Sequence, residues 1–262
     1  MIVTVCQLRV EQAERPVENW SALVTHVRAN HSDLVLLPEM PFYPWPFAAH
    51  RFDEVTWRAM EEAHESWMAR LGELAPAVVA GSRPVTRDGR RYNEGFLWSA
   101  AGGYTPVHHK VYLPDEPGFW EASWYERGED RFEPAPLGQD GEGDALAGFL
   151  ICTEMWFMEK ARAYGEAGAA LLLTPRATEL RTVDKWLAGG RVAAVLAGAY
   201  GLSSNHYRDG SDPARLGGQG WVVDPDGEVL GLTTPARPFI SVEIDLARVA
   251  AARSTYPRYV RA

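Results

Sequence analysis

The sequence contains only two cysteines, Cys6 and Cys152, in 262 residues, and its lysines and arginines form no cluster. Two cysteines cannot build a disulfide framework in a chain of this length, so we expect a reducing compartment, the cytoplasm. The formal net charge at pH 7 is −9. An acidic chain without a basic patch argues against nucleic acid and anionic membrane surfaces as partners.

Long apolar runs are also missing, since none approaches the roughly 18 residues that a membrane-crossing helix requires. The first ten residues lack a basic leader, and Gln7 and Arg9 interrupt their apolar run, so no signal peptide is expected. Residues 133–144 are rich in proline, glycine and acids, which predicts a surface loop and not a linker. We therefore expect one domain over residues 1–262. The basic, aromatic segment 253–262 is suited to form an extended tail that crosses onto a partner subunit.

The sequence does contain a regular alternation of buried strands and amphipathic helices. Apolar spacings of three and four predict four helices, over residues 16–29, 55–74, 157–167 and 183–199. Short apolar runs predict strands at residues 2–8, 34–37, 77–81, 147–151, 169–173 (stopping at Pro175), 201–205 and 239–244. Turn residues predict hairpins that join 92–99 to 104–109 and 220–223 to 228–232. This pattern predicts an α/β fold with a mixed sheet, or with two stacked sheets and helices outside.

Three of the apolar runs end at a polar residue that can do chemistry, namely Glu39, Lys110 and Cys152. Each has an ordinary explanation: a helix cap, a solvated strand end and a buried structural thiol. Together they meet a chemical need, because open α/β sheets collect their functional residues at the carboxyl ends of strands. A carboxylate can take the proton of a thiol, and a lysine can hold that carboxylate charged and stabilise an oxyanion.

A cysteine–histidine pair is the competing arrangement for nucleophilic catalysis. His108, His109 and His206 are the candidates, but none has the sequence context of a cysteine protease.

At these residues the chain resembles the nitrilase superfamily of carbon–nitrogen hydrolases. The motifs are LVLLPEM with Glu39, HHKVYLPDEPGFWE with Lys110, and ICTEMWFME with Cys152, Glu154 and Glu159. The resemblance implies a four-layer α-β-β-α sandwich with two mixed β-sheets and a Glu-Lys-Cys triad without metal or cofactor. It also implies a second glutamate near the lysine, which the motif identifies as Glu121.

The resemblance is greatest to the amidase and N-carbamoyl amidohydrolase branches, whose members carry a tryptophan at the position of Trp156. It implies a thiol hydrolase that cleaves a small amide, ureido or nitrile compound and that forms a homodimer or higher homo-oligomer. We expect the backbone N–H of Thr153 to support Lys110 at the oxyanion, and Tyr43 and Trp45 to line the substrate pocket. Arg176 is either a reader of a substrate carboxylate or a surface or helix-capping arginine. The alternative functions are nitrilase activity and a catalytically silent binding module.

Overall fold

The computed structural model describes residues 1–9, 17, 19–138, 145–210 and 215–260. Across these residues the chain forms twelve strands and five α-helices. The helices are α1 (Trp20–Ala29), α2 (Glu54–Met68), α3 (Met158–Glu166), α4 (Val183–Ala197) and α5 (Ala247–Arg253). The strands are β1 (Ile2–Arg9), β2 (Leu34–Leu36), β3 (Val78–Arg87), β4 (Arg90–Ser99), β5 (Gly103–His109), β6 (Ala135–Pro136), β7 (Leu146–Phe149), β8 (Leu171–Arg176), β9 (Tyr200–Tyr207), β10 (Trp221–Val223), β11 (Val229–Leu232) and β12 (Phe239–Glu243).

The strands form two mixed sheets that share β1. The first sheet has the order β5-β4-β3-β2-β1-β12, with β1, β2 and β3 parallel and the outer strands antiparallel. The second has the order β6-β7-β8-β9-β10-β11, with β7, β8 and β9 parallel. The end of β1 joins the two sheets, because Gln7 to Arg9 pair in parallel with Asn205 to Tyr207 of β9.

Three apolar cores separate four layers. The central core lies between the sheets and contains Val5 and Leu36 from one sheet and Phe149 and Leu202 from the other. A second core packs α1 against the outer face of the first sheet, and a third packs α3 and α4 against the outer face of the second. The expected α-β-β-α sandwich is thus confirmed. The strands are near-continuous in apolar residues because both faces of each sheet are covered.

Several sequence predictions differ from the structure. The strand expected over 77–81 runs on to Arg87 as β3, and the loop expected over 133–144 contains the two-residue strand β6. The helix expected over 55–74 ends at Met68 and is followed by a separate 3₁₀ turn, Leu71–Leu74, since glycine and the approach to Pro76 disfavour a continued α-helix. Strand β8 does not stop before Pro175 but runs through it to Arg176. A proline is tolerated there because β7 pairs with β8 only as far as Leu173, which leaves that side of the strand without a ladder.

The helix expected over 16–29 begins at Trp20, and most of the residues before it lie outside the described ranges.

The described part of the carboxyl-terminal segment folds back on its own chain. Arg258 donates from Nε to the carbonyl of Ala252 at 2.8 Å and from Nη2 to Asp226 at 2.8 Å. Residues 261–262 of the expected dimer-crossing tail lie outside the described residues. None of the helices that the structure describes is long and apolar enough to cross a membrane.

Candidate active site

Cys152 lies at a sharp turn directly after β7. Its φ is +49°, a left-handed conformation that costs a non-glycine residue roughly 1–3 kcal/mol. The residue begins a 3₁₀ turn, Cys152–Trp156, and is 3% exposed. The first N–H groups of such a turn have no partner within it, so the backbone of Thr153 is available to a ligand. Strain of this kind at a buried nucleophile is typical of a functional site.

Glu39 is fully buried beyond the end of β2, and the neighbouring strands hold its backbone. Its N–H donates to the carbonyl of Arg176 at 3.3 Å, and its own carbonyl accepts from Nε2 of His206 at 2.5 Å. Burial lowers the pKa of His206 to about 4, so this histidine is neutral at pH 7 and donates from Nε2. The side-chain Oε1 of Glu39 accepts from Asn93 at 2.8 Å, whereas Oε2 has no hydrogen-bond partner among the described residues.

Lys110 follows β5 and places its ammonium group between two buried carboxylates. Nζ lies 2.7 Å from Oε1 of Glu39 and 2.5 Å from Oε2 of Glu121, and all three side chains are inaccessible to solvent. Glu121 Oε2 also accepts from the hydroxyl of Tyr125, and no residue in the described ranges forms a hydrogen bond with Glu121 Oε1. Each carboxylate therefore has one oxygen held by Lys110 and one that is free to meet a substrate or a proton.

The charges in this cluster set the resting protonation states. Burial lowers the pKa of Lys110, but the carboxylates of Glu121 and Glu39 outweigh it, so the pKa is raised and the amine stays charged. Burial raises the pKa of Glu121 to about 7, with Glu39 adding to the rise and Lys110 opposing it. Burial and the Glu39 carboxylate raise the pKa of Cys152 above its ordinary value, against the pull of Lys110. Cys152 is therefore a thiol at rest, and it needs a base to become a nucleophile.

Glu154 ties the lysine segment to the cysteine turn, a role that sequence reasoning did not assign. Its carboxylate accepts from the backbone N–H of Val111 at 2.6 Å and of Ile151 at 2.8 Å, and from Nε2 of His108 at 2.9 Å. His108 and Val111 lie on either side of Lys110 in the chain, and Ile151 directly precedes Cys152. The only signal in the sequence was the acid two residues after the cysteine, which says nothing about partners more than 40 residues away.

A pocket of about 590 Å³ opens onto Cys152 and Thr153. Pro114, Pro117 and Phe119 line one side, and α4 contributes Lys185 and Trp186 from the other. The remaining lining residues are polar or charged, namely Glu116, Thr178, Glu179, Arg181 and Thr182. Arg181 is paired with Glu179 at 2.5 Å, whereas Lys185 forms no ion pair with any described residue.

The structure brings Glu39, Lys110, Glu121 and Cys152 together, but it spreads the five expected substrate-binding residues. Of these five, only Thr153 lines the pocket. Trp45 packs behind Phe119 at a ring distance of 5.9 Å, and Tyr43 packs in the same aromatic cluster.

The other two expected residues also lie behind the pocket wall. Trp156 is 43% exposed and packs behind Trp186, at 5.1 Å between ring centroids. Arg176 is fully buried, and both of its terminal nitrogens and its Nε donate to other protein groups. This placement favours a role inside the protein for Arg176 over contact with substrate.

The histidines of the competing pair are all engaged away from the thiol. Nε2 of His108 contacts Glu154 and Nε2 of His109 contacts Glu94, each at 2.9 Å, and Nε2 of His206 contacts the backbone of Glu39. Within the described ranges, no group of three His, Cys, Asp or Glu side chains is arranged to hold a metal ion.

Known proteins share both the sequence pattern and the fold. The omega-amidase NIT2 of Mus musculus is 27% identical over 244 residues, which cover 90% of this chain and 85% of that protein. The Homo sapiens protein of the same name is 28% identical over 232 residues, covering 86% and 80%.

Among solved structures, a carbon–nitrogen hydrolase from Helicobacter pylori G27 aligns with a TM-score of 0.84 at 23% identity over 98% of this chain and 94% of that one. An amidase variant from Nesterenkonia sp. AN1, with the acetamide moiety of fluoroacetamide added covalently at its active-site cysteine, aligns with a TM-score of 0.72 at 21% identity over 97% and 94%. The family model for carbon–nitrogen hydrolases matches residues 2–254. That match covers nearly the entire chain, from the start of β1 to the end of α5, and the protein belongs to the carbon–nitrogen hydrolase family.

Proposed function

We propose that the protein hydrolyses a small linear amide or N-carbamoyl compound through a thioester on Cys152. The observation that carries the proposal is the buried cluster of Glu39, Lys110 and Glu121 beside the strained cysteine turn. A thiol at rest, an adjacent carboxylate with one free oxygen and a fixed ammonium group are the components of nucleophilic catalysis with a general base. The omega-amidase names of the relatives support an amide as the substrate.

In the proposed mechanism, Oε2 of Glu39 takes the proton from Sγ of Cys152 as the sulfur attacks the carbonyl carbon. Lys110 and the N–H of Thr153 stabilise the oxyanion of the tetrahedral intermediate. The C–N bond then breaks, and Glu39 returns the proton to the departing ammonia or amine. Water, deprotonated by Glu39, hydrolyses the thioester and regenerates the thiol. Glu121 holds Lys110 in place and orients it toward the oxyanion.

We also propose that Lys185 reads a carboxylate at the far end of the substrate. It borders the pocket that reaches Cys152, and it forms no ion pair with any described residue. Phe119 and Trp186 would cover the apolar middle of such a substrate. Lys185→Met should raise KM for an amide that carries a distant carboxylate and leave a neutral amide of equal length unchanged. Equal effects on both substrates would argue against this role.

Ammonia release from a panel of amides, ureido acids and nitriles tests the proposed function. We expect turnover of one or more linear amides or ureido acids by the wild-type protein and none by Cys152→Ala. Turnover of nitriles alone would instead identify a nitrilase. A silent binding protein would release no ammonia, and iodoacetamide would label its Cys152 no faster than a thiol in a denatured peptide.

A homodimer formed through α3 and α4 remains part of the proposal. Trp156, directly before α3, and Val192 of α4 are 43% and 49% exposed, and Tyr259, which is 60% exposed, borders a pocket with Gly165 of α3 and Leu196 of α4. Exposed apolar side chains on these elements favour a subunit contact there. Light scattering at micromolar concentration should give twice the mass of a single chain. A Trp156→Glu variant should lower that mass to one chain.

A further inference from the structure

Arg176 is a buried cation whose hydrogen bonds all go to neutral groups. Its guanidinium donates from Nε to Oγ of Ser203 at 2.7 Å, from Nη1 to Oγ1 of Thr178 at 2.6 Å and from Nη2 to the carbonyl of Gln219 at 2.8 Å. No carboxylate of the described residues pairs with it. A buried charge is costly unless another charge compensates it. The compensating charge must therefore lie beyond the hydrogen-bonding shell of Arg176.

Tryptophan rings keep water away from this guanidinium. Its central carbon lies 4.1 Å from the ring centroid of Trp221 and 5.7 Å from that of Trp186. Aromatic faces stabilise a cation, and a desolvated charge acts over a longer distance than a solvated one. Burial lowers the pKa of Arg176 to about 9, while Cys152 and Glu39 act to raise it, so the side chain is charged at neutral pH.

The backbone at Arg176 connects the two groups that exchange a proton in the proposed mechanism. The carbonyl of Arg176 accepts from the N–H of Glu39, and the N–H of the next residue, Ala177, is directed at the thiol of Cys152. Thr178, which accepts from the guanidinium, lines the pocket together with Cys152. The strand end that carries this charge therefore contacts both the reacting thiol and its base through its backbone, and the guanidinium holds Thr178, which borders the same pocket as Cys152.

We propose that Arg176 is a positioning residue that supplies the counter-charge for the single negative charge shared by Glu39 and Cys152. Lys110 neutralises one of the two carboxylates beside it, and Arg176 neutralises the other. When the S–H bond of Cys152 breaks and an O–H bond forms on Glu39, the negative charge moves to sulfur and the net charge of the cluster is unchanged. This inference rests on the proposed function, because it takes Cys152 as the nucleophile.

Glu116, Glu179, Arg181 and Lys185 face Cys152 across the pocket. The titratable groups that face this pair from inside the protein are Lys110, Glu121, Tyr125 and His206. Lys110 stays protonated, Tyr125 stays neutral because burial raises its pKa, and His206 is neutral above about pH 4. Glu121, with a pKa of about 7, is the one of these four that changes charge near neutrality. It is present in every variant compared below, so it shifts none of them relative to wild type.

The test is the rate of alkylation of Cys152 by neutral iodoacetamide as a function of pH, measured by mass spectrometry. Arg176→Met and Arg176→Gln remove the charge, Arg176→Lys keeps it, and Ser203→Ala removes one hydrogen bond but leaves the charge. The acid limb of the profile is the range in which the alkylation rate rises with pH. In the two neutral variants we expect its midpoint to lie about one pH unit higher than in wild type. A shift of about one unit is at the smaller end of what a nearby opposite charge produces. The limb should keep its wild-type position in Arg176→Lys and Ser203→Ala. Circular dichroism checks that each variant is folded.

An unmoved limb in the neutral variants, or an equal shift in Ser203→Ala, overturns the inference. If neither neutral variant folds, the test rests on Arg176→Lys. A midpoint of the acid limb at the wild-type pH supports the counter-charge, and a midpoint moved by about one pH unit overturns it. A loss of kcat/KM in Arg176→Met only for substrates with a carboxylate, with an unchanged alkylation profile, would instead identify Arg176 as a substrate reader. Failure of the proposed function is distinguishable, because wild-type Cys152 would then react no faster than a denatured-peptide thiol.

Discussion

Replacing Lys110 by methionine removes the positive charge that contacts both Glu39 and Glu121. Methionine fills a similar volume, so the main loss is electrostatic. Removing one partner of a buried ion pair typically costs about 3–5 kcal/mol, because the remaining charge stays desolvated. Here two carboxylates are left, so we expect the free energy of unfolding to fall by at least about 3 kcal/mol at about pH 8.

The loss in Lys110→Met should depend on pH in a defined direction. Without the cation, the buried carboxyl groups bind protons more tightly in the folded than in the unfolded protein. Their stability contribution is then present below their unfolded pKa of about 4.3 and is lost as the pH rises through the folded value. The pKa of Glu121 in the folded wild-type protein is about 7, which is already higher than the unfolded value. The deficit should therefore be small at about pH 5 and large at about pH 8.

Urea denaturation followed by tryptophan fluorescence at the two pH values measures this effect. Lys160→Met is the matched control, because its ammonium group pairs with the exposed Asp130 at 2.6 Å and such pairs are worth about 0–1 kcal/mol. A triple variant, Lys110→Met with Glu39→Gln and Glu121→Gln, should recover part of the stability, since no buried carboxylate is then left without a cation, although Arg176 loses its counter-charge. A deficit below about 1 kcal/mol at both pH values would refute the account of the cluster as two ionised carboxylates in contact with the ammonium group of Lys110.

Three further predictions concern the nucleophile, its support and the helix packing. Cys152→Ala should abolish ammonia release, whereas Cys6→Ala should retain it, because Cys6 is buried in the core behind α1, where its thiol donates to the carbonyl of Leu36 at 3.3 Å, and it does not border the pocket; equal activity in both variants would exclude a thioester mechanism. Glu154→Gln should lower kcat about 10²-fold with little change in KM, because a displacement of a catalytic group by about 1 Å can reduce the rate by that factor. An unchanged kcat would show that the hydrogen bonds of Glu154 to Val111 and Ile151 do not position the catalytic groups. Gly165→Ala should reduce stability in urea by about 1–3 kcal/mol, because its Cβ would overlap the carbonyl of Ala197 in α4. Gly72→Ala is the control, because its Cβ would make only an ordinary van der Waals contact with Trp98 at 4.0 Å; equal urea midpoints would refute the close contact at Gly165.

The sequence by itself determined which residues meet at the site. Glu39 and Lys110 are 71 residues apart, yet each follows an apolar run, as Cys152 does. Strands that run in the same direction present their carboxyl ends at one edge of a sheet, so polar residues that follow such strands are expected close together, and the motifs shared with carbon–nitrogen hydrolases identified which of them belong to the site. The layer arrangement follows for the same reason, because continuous apolar strands require cover on both faces and amphipathic helices supply it.

Only the tertiary structure decided which side chains face the substrate and which lie behind the wall. Periodicity identifies the buried face of a helix but not its neighbour, so nothing in the sequence indicated that Lys185 and Trp186 of α4 would border the pocket. Likewise, an arginine after an apolar run looks like a substrate reader or a surface residue. The fold instead encloses Arg176 between Trp186 and Trp221, and its charge acts there because packed aromatic rings exclude the water that would screen it.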